Sequence, residues 1–272
     1  MLKKPLYQKL VEFYQKILKT QEDAGRNLDI NPVEIEKALK TLRLKEGFPL
    51  IEKADVIIDV PSSVKLFEAV CHIGKTANEK MRDNIQAIEE GLAINAINLK
   101  QMLKRHSDEL YLNTIAEEFN IDKAVLNFLI HTSIRPSINA NVEKLKSKVD
   151  LKSWLRGYCP VCGSTPCMSE LKGEGERYFL CSFCGFQWPG ERLKCPFCEN
   201  RDQEKLHYFY EEGQEAYRVD VCDSCHQYIK TVDSRKLGYE PDLVLEDIST
   251  IHLDIIASEK GFKRPVPNPW GI

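Results

Sequence analysis

No window of this 272-residue chain holds roughly 18 uninterrupted apolar residues, so no transmembrane helix and no direct membrane insertion are expected. The start, Met1-Leu2-Lys3-Lys4-Pro5, has two lysines but no apolar stretch behind them, which argues against a secretory signal. No charge of one sign dominates: 38 basic and 41 acidic side chains give a net charge of −3. Residues 1–150 carry 23 basic and 22 acidic groups, and residues 151–272 carry 15 and 19. The second half therefore lacks the positive footprint that a phosphate backbone requires, and a nucleic-acid partner is not expected. Glycine-rich phosphate loops, His-x-x-x-His pairs and nucleophile signatures are missing as well. No active site is evident in the first half, and no catalytic residue can be named.

Cysteine is concentrated. Eight of the ten cysteines form four Cys-x-x-Cys pairs: Cys159/Cys162, Cys181/Cys184, Cys195/Cys198 and Cys222/Cys225. The gaps between pairs are 18, 10 and 23 residues. Two cysteines three apart can wrap one ion through a tight turn, and a second such turn completes a tetrahedron. Sequential pairing joins Cys159, Cys162, Cys181 and Cys184 in one site, and Cys195, Cys198, Cys222 and Cys225 in the other. A crossed pairing and a single binuclear cluster are the alternatives. Tetrahedral thiolate sets fit zinc or iron, and spacing does not separate the two. A closed four-cysteine site has no open position for substrate, so a structural role is the default, whereas iron would permit one-electron chemistry. Paired cysteines of this kind suit a reducing cytosol.

Each gap inside a site fits one hairpin. Cys167 to Leu171 and Arg177 to Leu180 can pair around Lys172-Gly173-Glu174-Gly175; Leu206 to Tyr210 and Ala216 to Val221 can pair around Glu211-Glu212-Gly213. The central gap, with Trp188-Pro189-Gly190, reads as a strand and connector. Each site is then a rubredoxin-like or zinc-ribbon module.

The first half reads as about six helices. Residues 5–22 carry apolar side chains at helical spacing. Asn31-Pro32 suits the start of a second helix, stopped at Gly47 and Pro49. Pro61-Ser62-Ser63 can open a third, in which Gly74 and Gly91 interrupt the pattern. Leu92 to Leu103 and Ser107 to Phe119 follow. Asp122 caps the next helix, Pro136 ends or kinks it, and a last one reaches Lys148. After the cysteine region, Asp242 to Ser258 is again helical, and the prolines after Arg264 dictate an extended tail. The fold class is mainly α with small β: a helical domain over 1–153, tandem four-cysteine modules over 154–235, and a C-terminal helix with a Pro-rich tail over 236–272.

The remaining candidates have plainer readings. His72 and His131 lie in helical segments and are better packed or surface histidines than ligands. Cys71 reads as a small buried hydrophobe. His226 follows Cys225 and suits a surface or supporting position, since eight cysteines already fill two sites. Cys167 is a strand residue, with an exchangeable ligand as the alternative. Phe183, Phe186, Trp188, Phe197, Tyr208, Phe209 and Tyr210 build a small core or, in part, a partner surface.

Gly157-Tyr158-Cys159-Pro160-Val161-Cys162-Gly163-Ser164, Leu180-Cys181-Ser182-Phe183-Cys184 with Trp188, Cys195-Pro196-Phe197-Cys198, and Cys222-Asp223-Ser224-Cys225 before Tyr228-Ile229-Lys230 together resemble the formate dehydrogenase accessory protein family, FdhE. The likeness extends to His131 to Pro136 and to Leu253-Asp254, Ala257, Glu259-Lys260-Gly261, Arg264 and Asn268-Pro269. It implies a cytoplasmic maturation factor that is not itself an enzyme. The partner it implies is the catalytic subunit of a molybdenum- or tungsten-dependent formate dehydrogenase, whose activity needs the factor. It also implies iron as a candidate for the eight paired cysteines.

Overall fold

Helix starts in the first half are set by side chains that receive free backbone amides. In the computed structural model, which describes residues 5–26, 28–149, 151 and 154–266, nearly every helix after the second has such a cap. The first two are α1 (Pro5–Gly25) and α2 (Lys37–Glu46). Asp59 caps α3 (Val60–Gly74), Asn78 caps α4 (Glu79–Ala93) and Asn98 caps α5 (Leu99–Lys104). Asp108 caps α6 (Glu109–Glu118), and Asp122 caps α7 (Lys123–Leu145) through the amides of Ala124 and Val125.

Three expectations shift. The second helix begins at Lys37, because the Asn31 side chain accepts from Lys144 Nζ at 3.2 Å and does not cap. The stretch Leu92 to Leu103 is broken between Ala93 and Leu99, where Asn95 takes a left-handed φ of 56°. Pro136 does not end its helix: α7 runs through it, and a single 3-10 turn continues to Lys148. The first half thus has seven α-helices among the described residues. Pro136 is itself buried, with Gly25 of α1 against it, so packing on α7 outweighs the lost amide. α7 is the central helix and packs on α1 and α3, burying Leu126, Leu129, Ile130, Ile134 and Ile138 with Phe67 and Val70.

The second half forms one six-stranded sheet. Its strands are β1 (Pro166–Lys172), β2 (Glu176–Cys181), β3 (Gln187–Gly190), β4 (Leu206–Phe209), β5 (Tyr217–Cys222) and β6 (Gln227–Asp233). Both expected hairpins are present, and Trp188 sits on β3 as expected. The order is β3-β2-β1-β6-β5-β4, antiparallel throughout except where β1 meets β6. That parallel pair, Met168 opposite Lys230 through Leu171 opposite Asp233, fuses two three-stranded modules into one sheet. Pro189 lies on the edge strand, where its missing amide costs no ladder bond.

The expected helix over Asp242 to Ser258 is two: α8 (Leu243–Ser249), capped by Asp242, and α9 (Ile251–Glu259), with Thr250 between them. α8 packs on β1, β6 and α1, while α9 packs on β5 and β6. Lys263 then pairs beside Gln227, its amide donating to the His226 carbonyl. The last six residues of the expected tail, 267–272, and the point chosen between the first two regions, residues 152–153, lie outside the described residues. One apolar core runs from Phe13 and Ile17 through α7 to Cys159, Phe179 and Trp188. Among the described residues, no helix is long and apolar enough to cross a membrane.

Candidate metal centres

Each Cys-x-x-Cys pair closes a tight turn by the same bonds. The amide four residues after the first cysteine donates back to that cysteine's carbonyl: Gly163 to Cys159, Gly185 to Cys181, Glu199 to Cys195 and His226 to Cys222. These four residues all have positive φ, at 74°, 69°, 61° and 52°. The turn lets both sulfurs point to one side.

The sulfurs gather as sequential pairing predicts. Cys159, Cys162, Cys181 and Cys184 form one group and Cys195, Cys198, Cys222 and Cys225 the other, with ligand atoms in each group within 4.8 Å of one another. Across the hairpins, Cys159 Sγ lies 3.6 Å from Cys184 Sγ, and Cys162 Sγ 3.4 Å from Cys181 Sγ. In the second group the separations are 3.7 Å for Cys195 to Cys225 and 3.6 Å for Cys198 to Cys222. A tetrahedron with zinc–sulfur bonds of about 2.3 Å requires sulfurs about 3.8 Å apart. The donor sets therefore fit one tetrahedral zinc or iron ion each, with no open position for substrate. Bound there, such an ion supplies a cross-link between two turns.

The free thiols also perturb one another. Hydrogen bonds from Cys159, Cys181 and Cys184 hold the Cys162 thiol far below its ordinary range, whereas burial pushes Cys159 well above it. Burial also raises Cys222, but amide donors at Cys225 and Ser224 and the Cys198 and Cys195 thiols outweigh it, leaving about 7.

The first cluster is the inner one. Its first turn pairs with residues before α3: the Leu50 and Ile51 amides donate to the carbonyls of Pro160 and Val161 at 2.9 and 3.0 Å. Its second turn inserts Phe183 between two histidines. The rings of His131 and His106 lie 5.3 and 5.9 Å from it, and His131 Nε2 donates to its carbonyl at 3.0 Å. Arg135 donates to the same carbonyl. Trp188 caps the floor, its Nε1 donating to the Arg156 carbonyl at 3.0 Å.

The chain's relatives fit this arrangement. A family model described as FdhE, central domain, matches residues 158–192, and one described as FdhE, C-terminal domain, matches residues 193–270. The first span holds all four inner cysteines and the second all four outer ones.

Residues 158–270 are thus similar to the central and C-terminal domains of FdhE.

A protein FdhE homolog of Aquifex aeolicus is 28% identical over 271 residues, covering 96% of this chain and 86% of that relative. One from Haemophilus influenzae is 29% identical over 218 residues, covering 75% of this chain and 65% of the relative. The crystal structure of the FdhE protein from Pseudomonas aeruginosa superposes with a TM-score of 0.68 at 19% identity, over 97% of this chain and 92% of that one. At that identity the superposition establishes the shared FdhE fold.

The other candidate residues resolve as follows. Cys71 is buried, and burial drives its thiol up to about 12. Cys167 is a β1 residue whose thiol faces the Leu180 carbonyl at 3.6 Å, away from both clusters. His226 is exposed, its ring 6.3 Å from Phe262, and belongs to neither thiol group. His72 is exposed on α3. His131 is packed, and burial, with Arg135 nearby, lowers it to about 3; burial and Lys53 lower His106 to about 4. Both rings are therefore neutral near pH 7. Unfolded histidine titrates near about 6.5, so the stability they contribute is complete above that pH and is lost as pH falls toward their folded values. Between pH 7 and 5, urea unfolding of the metal-loaded protein should show a larger drop in midpoint than a His131→Gln variant does. Equal drops would remove His131 from this account.

Sequence reasoning missed a buried ionic knot behind the sheet. Lys230, 2% exposed in the middle of β6, places Nζ 2.6 Å from Asp254 Oδ2 and 2.8 Å from Asp247 Oδ1. Arg264 reaches the same two carboxylates at 3.0 and 2.7 Å, and the Tyr228 hydroxyl donates to Asp254 at 2.8 Å. Lys230 also donates to backbone carbonyls of Asp247 and Thr250, where α8 gives way to α9. The local signal in the sequence was a lysine inside the apolar run Tyr228-Ile229-Lys230-Thr231-Val232.

Proposed function

We propose that this chain is an accessory factor that binds the catalytic subunit of a molybdenum- or tungsten-dependent formate dehydrogenase in the cytoplasm and is needed for its activity. The observation that carries the reading is the FdhE match over both cysteine modules, together with two thiol clusters already spaced for a tetrahedral ion. In this reading Cys159, Cys162, Cys181 and Cys184 hold one ion and Cys195, Cys198, Cys222 and Cys225 a second. The ions hold a surface in shape and do not turn over substrate. Residues 1–153 supply the helical part of that surface, 154–235 the metal modules, and 236–272 the lock behind the sheet. A second reading is a rubredoxin-like redox role during maturation, which the rubredoxin-type turns favour if the ion is iron. It requires visible thiolate-to-iron absorption that bleaches reversibly on reduction.

An anaerobic affinity pull-down from the native host, with bound proteins identified by mass spectrometry, tests the first reading. Enrichment of a formate dehydrogenase catalytic subunit is the expected outcome. Its absence when that subunit is expressed, even after crosslinking, would overturn the reading.

A further inference from the structure

The two clusters share ligand spacing and little else. All four inner sulfur-bearing residues are buried, whereas Cys198 of the outer cluster is exposed and Cys225 is half-buried. The inner turns are held from outside themselves. Leu50 and Ile51 pair with one, and His131 and Arg135 grip the other. Opening the inner cluster therefore means parting the helices from the sheet. The outer turns meet solvent. Leu193 beside the Cys195–Cys198 turn is 56% exposed, and Glu199, Asp223, Ser224 and His226 are exposed as well.

Backbone conformation points the same way. The left-handed position after each inner pair is glycine, at Gly163 and Gly185, which adopts it freely. The equivalent outer positions are Glu199 and His226, whose Cβ atoms oppose that conformation. The outer turns close against a local strain that the inner turns do not carry, and although Phe197 touches the core and the Lys263 amide bonds His226, Cys198 and its neighbours Glu199, Asp223, Ser224 and His226 stay exposed.

We propose that the outer centre is an exchangeable metal site, which takes up and releases a thiophilic divalent cation through its Cys198–Cys225 edge while the inner ion stays fixed in the core. This rests on the reading that both clusters hold metal. Exchange is ligand substitution without redox: an incoming donor replaces the Cys198 thiolate at the ion, which keeps four donors, and the released thiolate takes a proton from water. Cys225 follows, and the ion leaves with the incoming ligand. The buried Cys195 and Cys222 depart last and re-form the site when a new ion arrives.

The test uses the full chain loaded with two zinc ions, with 4-(2-pyridylazo)resorcinol as competitor. One equivalent should leave about 100-fold faster than the other, since local opening is far easier than opening packed core. N-ethylmaleimide with peptide mapping should label Cys198 and Cys225 before any inner cysteine, and the helical circular dichroism should persist after the first ion is lost. Cys198→Ser should abolish the slow-to-fast contrast by removing the fast equivalent and leaving the slow one. Release of both ions in one phase, or first labelling at Cys159, Cys162, Cys181 or Cys184, would overturn the proposal while leaving the two-metal reading intact. Failure of the native chain to bind zinc or iron at all would overturn both. Binding of the partner subunit is measured separately and is not decided by either result.

Discussion

A Cys159→Ser/Cys162→Ser variant should carry one metal ion per chain in place of two and, on the proposed function, should fail to dock to a formate dehydrogenase catalytic subunit. Two ligands cannot hold a tetrahedral ion, and metal binding at such a site is also folding free energy, on the order of 10–16 kcal/mol for structural zinc in small peptides. Part of that loss must appear as instability here, because the inner cysteines share a core with Phe179, Trp188 and the helices. A drop of about 5 kcal/mol or more in unfolding free energy is expected. The change should reach the helical half, since Leu50 and Ile51 lose their ordered partners at Pro160 and Val161. The equivalent Cys195→Ser/Cys198→Ser variant should also lose one ion, yet leave the helical transition nearly in place. Metal analysis, calorimetry and the pull-down together decide the matter. Two retained ions with undiminished partner binding would reject the role assigned to the inner centre.

The second large effect lies behind the sheet. Lys230→Met should cost about 3–5 kcal/mol, because it strands two buried carboxylates with Arg264 alone. Asp254→Asn should cost a similar amount by leaving two cations to share Asp247. The double variant restores balance between Arg264 and Asp247, so its cost should fall well short of the sum. The acid limb gives an independent check. Burial would raise the Asp247 carboxyl, but Lys230 and Arg264 outweigh it and hold it at about 2. Its folded value lies below the unfolded one, so its contribution is full above about pH 4 and disappears as pH falls toward 2. Asp247→Asn should flatten that limb. Additive single costs, or an unchanged acid limb, would mean that the four charges do not act as one unit.

What could be read from the sequence follows from how local each feature is. The four cysteine turns and both hairpins are encoded within a few residues by spacing, glycines and alternating side chains, and they stand where expected. Asp122 and Gly47 likewise mark helix ends through their own chemistry. The misses are tertiary. β6 is buried on nearly every residue, so it lacks the alternation that announces a strand. Its parallel neighbour β1 is remote in sequence, and no local signal announces that pairing. Lys230 resembles a solvated lysine until Asp247 and Asp254 arrive from α8 and α9. Asn31 looks like a cap until Lys144 engages it. The difference between a sealed and an exposed cluster was equally invisible, because it depends on which turn the helices cover.

The β1–β6 pairing also orders events in time. Cys159 through Cys184 can close around an ion while much of the sheet is still unmade, but Met168 waits for Lys230, 62 residues later in the chain. At synthesis rates of about 5–20 residues per second that delay is roughly 3–12 s, and once β2 is made β1 has a hairpin partner on one side and a bare edge on the other for the rest of it. A nascent chain at that stage is a three-stranded ribbon offering its open side to any extended segment nearby. An ion captured early would shorten the list of wrong pairings by fixing the register of β1 and β2 before β6 emerges, so cellular metal supply during translation should govern how much of the chain reaches its native form.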